Sequence, residues 1–130
     1  MVVDTVKVLI IDDDEVDRLA IIRALQQHTT NINISQAETA EVGLQKVATE
    51  KFDVILLDYR LPDSDGLDVL MRLRAGNYRD IAIIMISQHE DERLADQSID
   101  RGAQDFLLKS EVTATRLSRA LRLAQQRMLI

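Results

Sequence analysis

The sequence predicts a doubly wound α/β sandwich, a five-stranded parallel sheet with helices on both faces. Two observations carry that reading. Short apolar runs rich in β-branched residues recur along the chain, as in strands covered on both sides, and segments of helical spacing separate them. Parallel neighbours need crossovers, and the crossovers are right-handed, so repeated strand–helix units distribute helices to both sides of one sheet.

The first strand is Val6-Lys7-Val8-Leu9-Ile10-Ile11, and Val16, Leu19, Ala20 and Ala24 mark the helix after it. Ile32-Asn33-Ile34-Ser35 alternates, which suits an edge strand; Ala40, Gly43, Leu44, Val47 and Ala48 form the next helical stripe. Val54-Ile55-Leu56-Leu57 is the third strand. Its helix carries Leu67, Leu70, Met71 and Leu73, bracketed by Gly66 and Gly76, with Pro62 in the intervening loop. The fourth strand, Ile81 to Ile86, leads to a helix marked by Leu94, Ala95 and Ile99 and closed by Gly102. Phe106-Leu107-Leu108 is a short fifth strand. In the last helix, about 113–130, Ala114, Leu117, Leu121, Ala124 and Met128 form a heptad-like seam. That seam either packs on the sheet or continues past Ile130 into a coiled coil or further domain.

At 130 residues with 46% hydrophobic content, the chain has the material for one domain spanning residues 1–130. No segment reads as a membrane span or a secretory leader, so a soluble, cytoplasmic protein is expected. The absence of cysteine removes disulfides and thiolate metal sites, and it fits a reducing compartment. A net charge of −6 disfavours a surface that tracks phosphate backbones, so neither nucleic acid nor membrane is an expected direct partner.

The chemistry is expected where the strands end, because the carboxyl-end loops of a parallel sheet gather into one crevice. Asp12 and Asp13 follow the first strand, Asp58 ends the third, Ser87 the fourth and Lys109 the fifth. Three converging carboxylates repel one another and persist only with a compensating cation. Oxygen ligands without cysteine or clustered histidine favour a hard divalent ion, Mg2+ first and Mn2+ as the alternative. Carboxylate, hydroxyl, ammonium and metal site together describe phosphoryl transfer to Asp58. Catalysis there consists largely of setting positive charge and donors against the three phosphoryl oxygens, one each for the metal, Lys109 and Ser87. Asp58 is then the nucleophile, and Asp13 holds the ion with Asp12 supporting it through water.

In order and spacing, four segments closely resemble the signatures of the receiver domains of response regulators, the CheY-like switches of two-component signalling. They are Val8 to Asp14, Leu56 to Gly66, Ile86-Ser87 and Gly102 to Lys109, and the resemblance covers essentially the whole chain. It implies a flavodoxin-like strand order of 2-1-3-4-5. It also implies Asp58 as phosphoacceptor, Asp12 and Asp13 as the acidic pair, and the Arg60 backbone carbonyl as a further metal ligand. The implied donor is a phosphohistidine on a histidine kinase or histidine phosphotransfer protein, and the implied protein is a switch rather than an enzyme. Ser87 and Phe106 match the family's switch pair, although Phe106 on its own reads equally as core packing. Arg60 and His89, two residues beyond Asp58 and Ser87, match positions that tune the lifetime of the phosphate, or else they face solvent. A homodimer is expected through the face of the fourth helix, fifth strand and fifth helix, or through the last helix.

One departure stands out. The family usually has proline after the pocket lysine, often with a cis bond, whereas Lys109 precedes Ser110. A cis bond before a non-proline residue costs about 2.5–4 kcal/mol, so a trans bond and an altered loop into the last helix are expected. The segment Lys109 to Thr113 is more similar to receivers attached to kinase, cyclase or other multidomain proteins than to those joined to DNA-binding modules. Asp14 is expected to cap the first helix with Asp17 adding charge to its first turn, and Asp63 and Asp65 to serve the turn before the third helix. Three other readings compete. An aspartyl phosphatase would commonly place a second carboxylate two residues after its nucleophile, where this chain has Arg60. A nucleotide binder needs a glycine- or hydroxyl-rich loop after the first strand, where this chain has three aspartates. A degenerate receiver acting only as a binding module would not need the intact acceptor, acidic pair, hydroxyl and lysine.

Overall fold

The computed structural model describes residues 5–28 and 31–128. The elements run β1 (Val6–Ile11), α1 (Glu15–His28), β2 (Ile32–Ala37), α2 (Ala40–Thr49), β3 (Val54–Asp58), α3 (Gly66–Ala75), β4 (Ala82–Ser87), α4 (Glu92–Asp100), β5 (Asp105–Leu108) and α5 (Ala114–Met128). All strand pairings are parallel and the order is β2-β1-β3-β4-β5, as expected. Because side chains alternate along a strand, the two faces of the sheet make two separate cores. Val8, Ile10, Val54, Leu56, Ile84 and Leu107 point into one layer, which Ile21, Leu25, Leu117 and Ala124 of α1 and α5 complete. Leu9, Ile11, Ile55, Leu57, Ile83 and Met85 point into the other, closed by Val47 of α2 and Val69, Leu70 and Leu73 of α3. β2 is the alternating edge strand, with Ile32 and Ile34 half-buried and Asn33 exposed.

The helix phases need correction. In α1 the inward residues are Arg18, Ile21, Ala24 and Leu25, whereas Val16 is 72% exposed and Leu19 and Ala20 also face out. Helical spacing identified the helix and Ala24 faces inward as expected, but Arg18 occupies the core-facing phase ahead of it, so Val16, Leu19 and Ala20 of the predicted stripe lie on the opposite side. Met71 of α3 and Ile99 of α4 are likewise exposed, and α4 turns Leu94 and the fully buried Ser98 inward. Ser98 is compatible with that position because its hydroxyl donates to the Leu94 carbonyl one turn back, at 2.8 Å. The seam of α5 does pack on the sheet through Leu117, Leu121 and Ala124 with Ala114 half-buried; the side chain of Met128 and all of Ile130 lie outside the described residues.

The peptide between Lys109 and Ser110 is trans, and Lys109 to Glu111 form a 3₁₀ turn. Its Glu111 side chain accepts from the Leu108 backbone N–H at 2.9 Å, which fixes the exit of β5 without a proline. Asp14 caps α1 as expected, accepting from the Val16 N–H at 2.8 Å, and Asp65 caps α3, accepting from Asp68 N–H at 2.8 Å. Asp63 does something else. Its two oxygens accept from Ala40 and Glu41 N–H at 2.9 and 3.0 Å, so it ties the β3–α3 loop to the start of α2 across the sheet end. These two bonds hold its carboxyl below the usual carboxylate range.

Candidate functional site

Parallel register decides what meets at the carboxyl end of the sheet. Ile11 is level with Leu57, Asp58 with Ile86, and Ser87 with Leu108, so the residues just beyond β1 and β5 and the last residues of β3 and β4 share one rim. The structure brings together all five expected there. Asp12, Asp13 and Asp58 each offer a carboxylate oxygen within 4.8 Å of the others. Lys109 Nζ lies 3.2 Å from Oδ2 of both Asp12 and Asp58. Ser87 and Lys109 line the same cavity of about 350 Å³ as Asp58. Arg60 and His89 line it too, with both residues largely in solvent.

Local structure sets these side chains. The β3–α3 loop folds back so that Gly66 N–H donates to the Tyr59 carbonyl. A Cβ on Gly66 would stand 2.8 Å from the Asp58 carbonyl oxygen and 2.9 Å from Tyr59 Cα, so only glycine permits that return beside the end of β3. Asp12 Oδ1 accepts from Asp14 N–H at 2.9 Å, and Asp58 Oδ1 accepts from Arg60 N–H at 3.4 Å. The Ser87 hydroxyl donates to the His89 carbonyl at 3.1 Å, so it is engaged with its own loop and not with Asp58. Phe106 is half-buried against the layer that contains Leu57 and Met85, level with Met85 across the sheet.

The electrostatics are those of a site short of positive charge. Burial, and then the Asp12 carboxylate, push the Asp58 carboxyl up to about 6 despite Lys109. Burial also raises Asp12. For Lys109, burial alone would lower its pKa, but Asp17, Asp58 and Asp12 together raise it above the usual lysine value. One ammonium therefore does not satisfy the cluster. Among the described residues, Asp12 Oδ2 is a buried carboxylate oxygen with no hydrogen-bond donor, although Lys109 stands close by. A buried oxygen held by an ion pair alone, beside two further carboxylates, is what a hard divalent cation would complete, so the residues present fit such an ion.

Two further residues that contact the cluster were not expected from the sequence. Asp17 reaches across from α1 to Lys109 at 2.6 Å, a pair 92 positions apart in the chain. Arg18, 7% exposed, donates to the Asp12 carbonyl at 2.7 Å and to the Gln36 side chain at 2.9 Å, locking the end of β1 to that of β2. Its signal was present as a basic residue in phase with Ile21 and Leu25 on the buried face. A larger hollow of about 660 Å³ at the opposite end of the sheet, beside Lys51, Asp53 and Tyr78, holds none of this convergence.

Residues 8–122 match the family model described as the response regulator receiver domain. The chain belongs to the response regulator receiver-domain family. This receiver is 39% identical over 105 residues to the transcriptional regulatory protein KdpE of Staphylococcus aureus, covering 79% of this chain and 43% of that protein. It is 33% identical to the KDP operon transcriptional regulatory protein KdpE of Escherichia coli, covering 78% and 44%. The match thus spans less than half the length of these relatives. Among solved structures, the receiver resembles a response regulator receiver protein from Pseudomonas putida, with TM-score 0.82 and 29% identity over 93% of this chain and 98% of that one. A receiver domain protein from Clostridium thermocellum gives 0.83 and 27% over 96% and 99%. Among the described residues no helix is long and apolar enough to cross a membrane.

Proposed function

We propose that this receiver takes a phosphoryl group onto Asp58 from a phosphohistidine of a histidine kinase or histidine phosphotransfer protein, and that the modified site switches an output surface. One observation supports this above the others: a buried carboxylate, raised to about 6, facing an ammonium and two further carboxylates at the mouth of a cavity. An Asp58 oxygen attacks phosphorus, the phosphorus–nitrogen bond breaks, and the imidazole leaves as the neutral base after taking up a proton. Lys109 sets its positive charge against one phosphoryl oxygen. The Ser87 hydroxyl leaves the His89 carbonyl and turns to a second, and Phe106 moves inward behind it. Asp12, Asp13, Asp58 and the Arg60 backbone carbonyl would hold Mg2+, or Mn2+ in its place, which when bound would neutralise charge on the transferring group. Arg60 and His89 at the cavity mouth set how readily water reaches the acyl phosphate.

The protein acts as a switch and assists only its own phosphorylation and hydrolysis. Its partner surface after switching is the face of α4, β5 and α5, through which a second copy associates, with the last helix as the other route. It works in the cytoplasm, with no direct contact to nucleic acid or membrane; in the KdpE relatives named as transcriptional regulators the matched region is less than half of the protein. The experiment is incubation with a small phosphodonor and Mg2+, read by intact mass. One added phosphate on the wild type and none on Asp58→Asn is expected; label retained by the Asn variant, or absent from both with Mg2+ present, would count against Asp58 as the acceptor.

A further inference from the structure

We propose that Asp17 is a positioning residue that holds Lys109 and competes with the phosphoryl group for it, so that the pocket carries its own counterweight to anion entry. The inference rests on the reading of Asp58 as acceptor. Of the three carboxylates around the Lys109 ammonium, Asp17 is nearest, at 2.6 Å against 3.2 Å for Asp12 and Asp58. It is also the most accessible, its side chain 29% exposed where theirs are 2% and 6%. A carboxylate that regains water on release is the cheapest of the three to displace. Asp17 is not one of the three acids that converge on a common point, so its charge adds to the pocket's negative surplus without forming part of the cation cluster. Nor is it needed as the cap of α1, since Asp14 accepts the Val16 N–H.

The charge balance gives the sign. Asp12, Asp17 and Asp58 contact one ammonium, and Asp13 stands beside two of them, so four carboxylates share that one positive charge. An incoming anion must draw Lys109 away from its shortest contact and do so against the Asp17 charge itself. Neutralising Asp17 removes both the competition and the repulsion, while leaving the cation ligands in place.

The test uses beryllofluoride, a tetrahedral analogue of a phosphoryl group, followed by fluorine NMR at saturating Mg2+, and calorimetric titration of Mg2+ alone. Asp17→Asn is expected to bind the analogue about tenfold tighter, the scale of removing one unit charge a few ångströms away that water still largely screens. Asp17→Glu, which keeps the charge, is expected to return to the wild-type value. Mg2+ affinity of Asp17→Asn is expected to stay level or weaken slightly, with none of the gain seen for the anion. A merely structural role would weaken both ligands together, and that result would overturn the proposal, as would unchanged analogue binding in Asp17→Asn. If the wild type bound no analogue, or bound it equally well as Asp58→Asn, the acceptor reading itself would fall and the role of Asp17 with it.

Discussion

Two half-buried cations sit at opposite ends of the sheet, and they are treated differently. Arg74, at the end of α3, donates to neutral oxygens: the Gly102 carbonyl at 2.9 and 3.1 Å, the Tyr78 carbonyl at 2.7 Å and the Gln104 side chain at 3.0 Å. Gln104 Oε1 in turn accepts from Ile83 N–H, so the guanidinium welds the α3 terminus to the loops entering β4 and β5. Lys109 faces only carboxylates in the contacts of its ammonium, and they outnumber it. A planar fork on fixed carbonyls has nothing to exchange, whereas a point charge among surplus acids can trade one partner for another oxygen anion. The first cation holds shape. The second stores a choice.

Replacing each cation separates these roles. Lys109→Gln is expected to slow uptake of phosphate from a small phosphodonor by about two to three orders of magnitude, the scale of losing one pre-set electrostatic donor. Arg74→Ala is expected to cost about 2–4 kcal/mol in chemical denaturation because it orphans several carbonyls, yet to leave phosphate uptake within about twofold. Arg74→Lys recovers only part of that stability, since an ammonium cannot span the same acceptors. If Arg74→Ala slowed uptake as much as Lys109→Gln, the division between the two ends would be lost. A smaller effect, about 1–3 kcal/mol, is expected for Gly66→Ala, whose new methyl meets the Asp58 carbonyl oxygen and Met85 Sδ, each at 2.8 Å. Its denaturation midpoint is expected to fall, and uptake to slow with it, because the backbone displaced is that of Asp58.

The strand pattern and the acids at the strand ends were legible because both obey short-range rules. Short continuous runs of β-branched apolar residues identify strands covered on both faces, and parallel topology alone then sends Asp12, Asp58, Ser87 and Lys109 to one rim. What escaped depended on phase and on distance along the chain. The α1 stripe was misplaced because Arg18 buries its charge against backbone and Gln36, which hydropathy scores as an outward residue. Asp63 was assigned to its own turn because nothing local shows that two N–H groups of α2 lie above it. Asp17 read as an ordinary first-turn acid, and only the fold places Lys109 against it.

Asp58 is held in the folded protein at an electrostatic cost, and a divalent cation bound as proposed would relieve it. Because burial and Asp12 raise its carboxyl to about 6, the folded state binds a proton that the unfolded state releases near its ordinary value of 3.8. In the presence of chelator, stability therefore falls as pH rises from about 4 through 6, and the full cost is present above that. The direct measurement is denaturant unfolding of wild type and Asp58→Asn between pH 4 and 8, with chelator and with Mg2+. With chelator at pH 7–8, Asp58→Asn is expected to be the more stable by about 2–3 kcal/mol, an advantage that shrinks toward pH 4. Mg2+ is expected to stabilise the wild type more than the variant and so close the gap. A variant no more stable than wild type at pH 8, or one that gains as much from Mg2+, would contradict the account.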